Sequence, residues 1–74
     1  MDFTRNELIS MFTFLDNLRE SGATNMFGAA MDLVVMFDLE KKEARAILAG
    51  WMETFGDPTV EDRVDSFIQK LRGI

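Results

Sequence analysis

Hydrophobic residues recur along this chain at the three- and four-residue spacing that one face of an α-helix requires. The first such segment follows Thr4, and Glu7 stands three residues later, which is the spacing of a helix-opening capping box. Gly22 interrupts the pattern, and glycine commonly ends a helix because it adopts the left-handed conformation at little cost. The pattern therefore predicts a first helix over residues 5–20.

A second helix is predicted over residues 25–37, and its composition is unusual. Asp32 is the only ionisable residue between Met26 and Phe37, so this helix is apolar nearly all round. A helix of that kind is either central in its bundle or covered by a partner. The pattern is the same in the two cases, so both alternatives stay open.

The last two helices are predicted over residues 41–55 and 58–71. Gly50 lies inside the third helix, where glycine costs about 1 kcal/mol relative to alanine, so we expect it to permit close packing. Pro58 fits the first turn of the fourth helix. No segment shows strand alternation. We therefore predict an all-α fold, a compact orthogonal bundle of about four short helices in one domain over residues 1–74.

The residue types that are absent remove most routes to catalysis. The chain has no cysteine, histidine or tyrosine, so it contains no disulfide, no thiol nucleophile and no imidazole base. Carboxylate-bridged metal sites in helical bundles usually include histidine as well. We accordingly expect no enzymatic activity, no metal site and no cofactor.

The charge balance narrows the range of partners. Thirteen acidic residues against eight basic ones give a net charge of −5 at pH 7. Nonspecific nucleic-acid binding depends on basic residues that neutralise phosphates, so this acidic balance disfavours it. The longest apolar run, residues 33–37, is far shorter than the roughly 18 residues of a membrane span. We expect a cytoplasmic protein that does not bind membranes.

The most specific functional pattern in the sequence is that of a helix-turn-helix motif, and it covers residues 34–48. In that interpretation the residues Lys41, Lys42 and Arg45 open the recognition helix and contact nucleic acid. The pattern departs from the motif at Val34, where a small residue is usual, and at Asp38, where glycine is usual. Acidic residues at 40 and 43 would also face phosphates with the wrong sign. The alternative is an ordinary helical corner whose charges are solvated.

Aromatic residues supply the candidates for a protein-binding surface. Trp51, Met52 and Phe55 share one face of the third helix, where we expect them in the core rather than at an interface. The first two helices carry more apolar surface than a chain of this size can bury. The candidate partner surface comprises Phe14 and Ile9, at the margins of the first helix, with Asn25 and Met26 at the start of the second.

Residues 14–55 carry three segments with a family resemblance: LRESGATNMFGA at 18–29, KKEAR at 41–45 and WMETF at 51–55. Here the chain resembles a group of small uncharacterised proteins encoded by tailed bacteriophages. The turn of that group often reads Phe-Gly-Leu-Ser, whereas residues 37–40 here read Phe-Asp-Leu-Glu. The resemblance implies a phage origin and the cytoplasm of a host cell, and it implies no catalytic or binding residues.

Three functional hypotheses follow from these observations. The first is a small acidic accessory protein that binds a host or phage protein and thereby modulates or inhibits a host enzyme. The second is a DNA-binding regulator that uses the helix-turn-helix pattern. The third is a self-associating structural protein that forms a symmetric dimer through its second helix.

Overall fold

A computed structural model describes residues 3–22 and 27–73, which form four α-helices. They are α1 (Arg5–Glu20), α2 (Phe27–Phe37), α3 (Lys41–Glu53) and α4 (Val60–Gly73). The described part of the chain contains no β-strand. The predicted all-α fold is therefore confirmed, with helix ends in the second half of the chain displaced by two residues from the predicted ones.

The capping box predicted for α1 is present. The Glu7 amide donates to Thr4 Oγ1 at 3.1 Å, and the Thr4 amide donates to Glu7 Oε1 at 2.8 Å. These bonds satisfy two backbone donors that a helix start otherwise leaves without partners. Gly22 adopts a φ of +88° just after the helix, as expected of a glycine that ends it.

The connection between α3 and α4 differs from the prediction. Thr54 Oγ1 donates to the Gly50 carbonyl at 2.9 Å, and α3 ends at the residue before this threonine. At the other end, Thr59 Oγ1 accepts from the Asp62 amide at 3.1 Å and so caps α4. Pro58 precedes that cap, so its predicted place in the first turn of α4 is wrong.

The arrangement of the helices leaves α2 with one side uncovered. α1 and α3 each contact all the other helices, whereas α2 and α4 do not touch one another within the described residues. α2 and α4 therefore pack against different sides of the α1–α3 pair. The largest fully buried side chains come from every helix, and they are Leu8, Met11, Phe12, Leu15, Leu33, Ile47, Trp51 and Val64.

Gly50 has the role that its position predicted. It lies buried on α3, and a Cβ added there would overlap the ring of Phe67 on α4. Phe67 itself packs against Phe12, with their ring centroids 5.6 Å apart. The missing side chain thus allows α4 to approach α3 closely enough to insert a phenyl ring into the core.

A tight corner joins α2 to α3. Asp38 adopts a left-handed conformation with φ of +56°, and the Leu39 amide donates to the Val34 carbonyl at 3.2 Å. This is the Schellman termination, in which a left-handed residue usually supplied by glycine follows the helix. The Glu40 amide then donates to Glu43 Oε1 at 2.9 Å. Glu40 is thus the N-cap residue of α3, which begins at the next residue.

The conformation of Asp38 leads to a stability prediction. Replacing Asp38 with glycine should raise the free energy of unfolding by about 0.5–1 kcal/mol, because glycine adopts the left-handed region without steric cost. Asp38→Ala removes the same charge but keeps a Cβ, so it should bring no such gain. Urea denaturation of the three proteins measures both effects, and an equal gain from alanine would contradict the backbone explanation.

Candidate functional site

The side of α2 that faces away from α1 and α3 is mostly apolar and carries one charged residue, Asp32. Its large side chains are Met31, Val35 and Met36, which are 51%, 75% and 63% exposed, and we call these three residues the outer face of α2. The buried residues of this helix, Ala29 and Leu33, lie on its other side. α2 is therefore apolar on both sides, and the core covers only one of them.

A groove of about 140 Å³ runs beside the outer face, between α2 and α3. Ala30, Met31 and Val34 form its apolar wall, and Lys41 and Arg45 line its other side. Both cations are exposed, and neither forms an ion pair with another described residue. The outer face of α2 is thus bordered on the α3 side by two positive charges.

A negative charge lies within the outer face of α2. Successive residues of an α-helix are rotated by about 100°, which places Asp32 between Val35 and Met36 around the helix axis. Asp32 is exposed and forms no ion pair with a described residue. The outer face therefore combines three large apolar side chains with one carboxylate, and two cations lie at its α3 edge.

The predicted nucleic-acid residues are exposed together at the start of α3. Lys41, Lys42 and Arg45 all reach solvent, and Lys42 Nζ lies 4.0 Å from Glu40 Oε2. Glu43 is half-buried, with its carboxylate bound to the Glu40 amide. One of the two acidic residues counted against DNA binding is thus turned toward the backbone.

The predicted partner residues on α1 are half-buried. Ile9 and Phe14 both pack against the core, and the Phe14 ring meets the Phe37 ring edge-on with centroids 5.8 Å apart. Asn25 and Met26 lie outside the described residues. A partner surface at these four positions stays a prediction. Sequence reasoning did not select Met31, Val35 and Met36, although the apolar composition of the second helix was a signal for them.

The aromatic residues of α3 divide between core and surface. Trp51 is buried as expected, with 1% of its surface exposed. Met52 and Phe55 are exposed by 45% and 43%, so their predicted burial is wrong. α3 ends before Phe55, whose ring instead packs on the Trp51 ring with centroids 4.5 Å apart. Periodicity beyond the actual helix end therefore gave the wrong face for Phe55, whereas Met52 lies inside α3, at the margin of its buried face.

A buried polar network joins three helices beneath this aromatic pair. Arg63 on α4 is 7% exposed, and its Nη1 donates to Asp16 Oδ1 on α1 at 2.8 Å. The same Asp16 oxygen accepts from Trp51 Nε1 at 2.8 Å, and Arg63 Nη2 donates to the Trp51 carbonyl at 3.1 Å. The guanidinium also lies 4.9 Å from the Phe55 ring centroid. This network fixes the relative positions of α1, α3 and α4.

A surface ion pair ties the start of α1 to α4. Arg5 Nε donates to Asp65 Oδ1 at 2.8 Å. This hydrogen bond, and then the positive charge behind it, hold the pKa of the Asp65 carboxyl below its usual range. The pair borders an open groove of about 610 Å³ whose apolar wall includes Leu8 and Ile68. Both partners are about half exposed, so the contact orients the helices but adds little stability.

Ser66 contacts a carboxylate. Its Oγ donates to Asp57 Oδ2 at 2.8 Å, and no imidazole can act as its base because the chain lacks histidine. Across residues 3–22 and 27–73, no three acidic side chains gather closely enough to hold a metal ion. None of the helices in these ranges is both long and apolar enough to cross a membrane.

Comparison of the chain with protein-family models, with curated proteins and with solved structures gave no match. The most distinctive part of the described surface is the outer face of α2, with Asp32 within it and Lys41 and Arg45 at its α3 edge.

Proposed function

We propose that this protein is a small accessory protein that acts by binding another protein through the outer face of α2. The observation that carries the proposal is the exposure of Met31, Val35 and Met36 on one side of one helix. Scattered exposed hydrophobic residues are normal on a protein surface, whereas a contiguous apolar patch with a polar rim commonly marks an interaction site.

The composition of this surface is that of a protein interface. Two of its three large side chains are methionines, which are flexible and polarisable and adapt to the shape of a partner. Lys41 and Arg45 lie at the edge of this surface and Asp32 lies within it, and such charges set orientation and exclude wrong partners more than they add affinity. A small-molecule site would require an enclosed pocket, and the groove beside α2 holds only about 140 Å³.

The resemblance to proteins of tailed bacteriophages supports a biological setting for this binding. In that setting the protein acts in the cytoplasm of the infected cell, where its partner is a phage or host protein. Through this binding the accessory protein modulates or inhibits a host enzyme. Such an activity requires no catalytic group in the accessory protein itself.

Site-specific photo-crosslinking tests the proposal. A photoreactive amino acid replaces Val35 in the full chain, which is irradiated in bacterial cells that produce it. We expect a covalent adduct with a protein, whose identity mass spectrometry establishes from the crosslinked peptides. The adduct should disappear when Met31 and Met36 are also replaced by serine, because the apolar contact area is then lost.

A matched control uses Gln69, which is exposed on α4, a helix that makes no contact with α2. The same photoreactive residue at position 69 should give no specific adduct. Equal crosslinking at both positions, or none at position 35, would overturn the proposal.

A DNA-binding regulator is the second candidate, and the corner between α2 and α3 favours it. Asp38 adopts the left-handed conformation for which the helix-turn-helix motif usually employs glycine, so the substitution does not abolish the tight turn. Lys41, Lys42 and Arg45 are exposed together on the helix that would enter the major groove. The net charge of −5 weighs against this candidate.

Fluorescence anisotropy with random-sequence duplex DNA at low salt decides this second candidate. Binding that weakens steeply with added salt would support it, because phosphate contacts release counterions. Replacing Lys41, Lys42 and Arg45 by glutamate should then abolish the binding while the helical circular dichroism is retained. Absence of binding at low salt would remove the candidate.

A further inference from the structure

We infer that the partner protein presents an amphipathic helix with carboxylates one helical turn apart, and that this helix lies along the groove between α2 and α3. Its apolar side chains pack on Ala30, Met31 and Val34, and its carboxylates pair with Lys41 and Arg45. Met31 belongs both to the outer face of α2 and to the wall of the groove. The inference rests on the proposed function, since it names the chemistry of the partner at the same surface.

The two cations of the groove have a spacing that a helix can match. Lys41 and Arg45 are one turn apart on α3, so they share a face, with Cβ atoms roughly 5–6 Å apart. Both are exposed, and neither forms an ion pair with a described residue. Two carboxylates one turn apart on a second helix have the same separation. A single partner helix can therefore pair with both cations at once.

The acidic residues at the start of α3 are engaged elsewhere. The Glu43 carboxylate accepts from the Glu40 amide at 2.9 Å, and the Glu40 carboxylate lies 4.0 Å from Lys42 Nζ. Lys42 thus has an anionic neighbour within the chain, whereas Lys41 and Arg45 have none among the described residues. Their positive charges remain available to carboxylates of a partner.

The negative charge of α2 lies away from the groove. The rotation of about 100° per residue places Asp32 about 160° from both Ala30 and Val34 around the axis of α2. Asp32 is the only ionisable residue of this helix, so the α2 wall of the groove does not repel an acidic partner. Asp32 does repel carboxylates beyond the outer face. The partner helix therefore carries its carboxylates on the edge that faces α3.

The cations continue into an apolar strip on α3. Leu48 and Met52 follow Lys41 and Arg45 at helical spacing, so the four residues share one face. Leu48 is half-buried, and Met52 is 45% exposed. A groove that combines apolar side chains with charges at helical spacing suits an amphipathic helix, which presents both on one face.

Duplex DNA suits this groove less well, although its phosphates would also pair with the cations. Its backbone is polar and carries a negative charge about every 1.7 Å, so it offers no apolar contact to Met31 and Val34. The net charge of −5 also repels so dense a polyanion. An acidic amphipathic helix satisfies the cations and the apolar wall together.

A peptide selection tests the chemistry of the partner. A library of random peptides displayed on yeast cells is selected with the labelled full chain and, in parallel, with the variant Lys41→Glu with Arg45→Glu. The unchanged chain should enrich peptides that combine Leu, Ile or Phe with Asp or Glu pairs at helical spacing. The charge-reversed chain should enrich peptides with Lys or Arg in place of those acidic residues.

The acidic peptide that binds most tightly then serves as the probe in fluorescence anisotropy. Its dissociation constant should rise roughly tenfold or more with Lys41→Glu and Arg45→Glu, because attraction becomes repulsion. Lys70→Glu with Arg72→Glu is the matched control, since it changes the net charge equally on exposed residues of α4. This control should change the dissociation constant by less than about twofold, because salt screens distant charges. Circular dichroism should show unchanged helical content in both variants.

Met31→Ser tests the apolar wall with the same probe. The dissociation constant should rise severalfold, because the contact loses apolar area. Leu71→Ser is the control, since Leu71 and Met31 are both 51% exposed and Leu71 lies on α4, which does not contact α2. Equal effects of the two substitutions would contradict binding in the groove.

The inference is overturned if no peptide is enriched, if the enriched peptides show no acidic bias, or if the charge-reversed chain selects the same peptides. Displacement of the probe by random-sequence duplex DNA at physiological salt would also overturn it, because the groove would then be a nucleic-acid site. Crosslinking from position 35 separates these failures from failure of the proposed function. A protein adduct at that position, together with peptides that lack acidic residues, overturns only the chemistry inferred for the partner.

Discussion

Replacing Asp16 with alanine should lower the free energy of unfolding by about 3 kcal/mol, because it leaves the guanidinium of Arg63 buried without its counter-charge. Arg63 is 7% exposed and its ion pair with Asp16 is 2.8 Å long. The indole N–H of Trp51 loses its acceptor in the same variant. The side chain of Asp16 is 33% exposed, so water can partly replace it, which places the expected loss at the lower end for buried pairs.

Urea denaturation at pH 7 measures this loss, and Glu20→Ala is its control. Glu20 lies on the same helix, is exposed and carries the same charge, so its replacement should change the free energy of unfolding by less than about 0.5 kcal/mol. Equal effects of the two substitutions would show that the buried network contributes nothing to stability.

A double variant separates the net contribution of the network to the free energy of unfolding from the destabilisation caused by removing only one of its members. Asp16→Leu with Arg63→Met should be clearly less destabilising than Asp16→Ala, because no charge remains buried. Arg63 Nε has no hydrogen-bond partner among the described residues, so the arginine is not fully satisfied even in the unchanged protein. A double variant less stable than Asp16→Ala would contradict this account.

Gly50→Ala should destabilise the protein by about 1–3 kcal/mol, although alanine is the better helix former by about 1 kcal/mol. The added Cβ would overlap the Phe67 ring, which is 4% exposed and packs on Phe12. The ring has to move, and a closely packed core resists such a shift. Thermal unfolding followed by circular dichroism measures the effect.

Gly28→Ala is the matched control for this substitution. Gly28 also lies in a helix, but a Cβ added there would meet no atom within 4 Å. The gain in helix propensity should then appear as a stabilisation of about 0.5–1 kcal/mol. If Gly50→Ala also stabilised the protein, the overlap with Phe67 would have no energetic consequence.

A second substitution tests the cause directly. Combining Gly50→Ala with Phe67→Leu replaces the planar ring by a smaller side chain at the point of overlap. The double variant should be less destabilised than the sum of the two single variants, because residues in contact are not additive. Additive effects would show that the destabilisation by Gly50→Ala does not arise from its overlap with the Phe67 ring.

Local signals were sufficient to predict where most of the helices lie. The capping box at Thr4 and Glu7 and the glycine at position 22 involve only residues near in sequence, and both act as expected. The connection at Pro58 was predicted less well because Asp57 and Thr59 are both residue types that cap helices, and Thr59 is the one used. Hydrophobic spacing cannot decide between neighbouring caps of similar quality.

The site was only partly visible in the sequence. Lys41, Lys42 and Arg45 were identified as a cluster from their spacing, and the structure places them together in solvent. Asp16, Trp51 and Arg63 were not identified as a network, because they are 35 and 47 residues apart and no periodicity links them. A lone arginine on a helix gives no signal that it will be buried.

The sequence by itself determined that this chain is all-α and that α2 is apolar nearly all round, and it predicted close packing at Gly50. Only the tertiary structure decided which side of α2 the core covers. The physical reason is that a helix apolar on every side packs equally well in any rotation until its neighbours are placed. Packing α1 and α3 against Ala29 and Leu33 left Met31, Val35 and Met36 facing solvent.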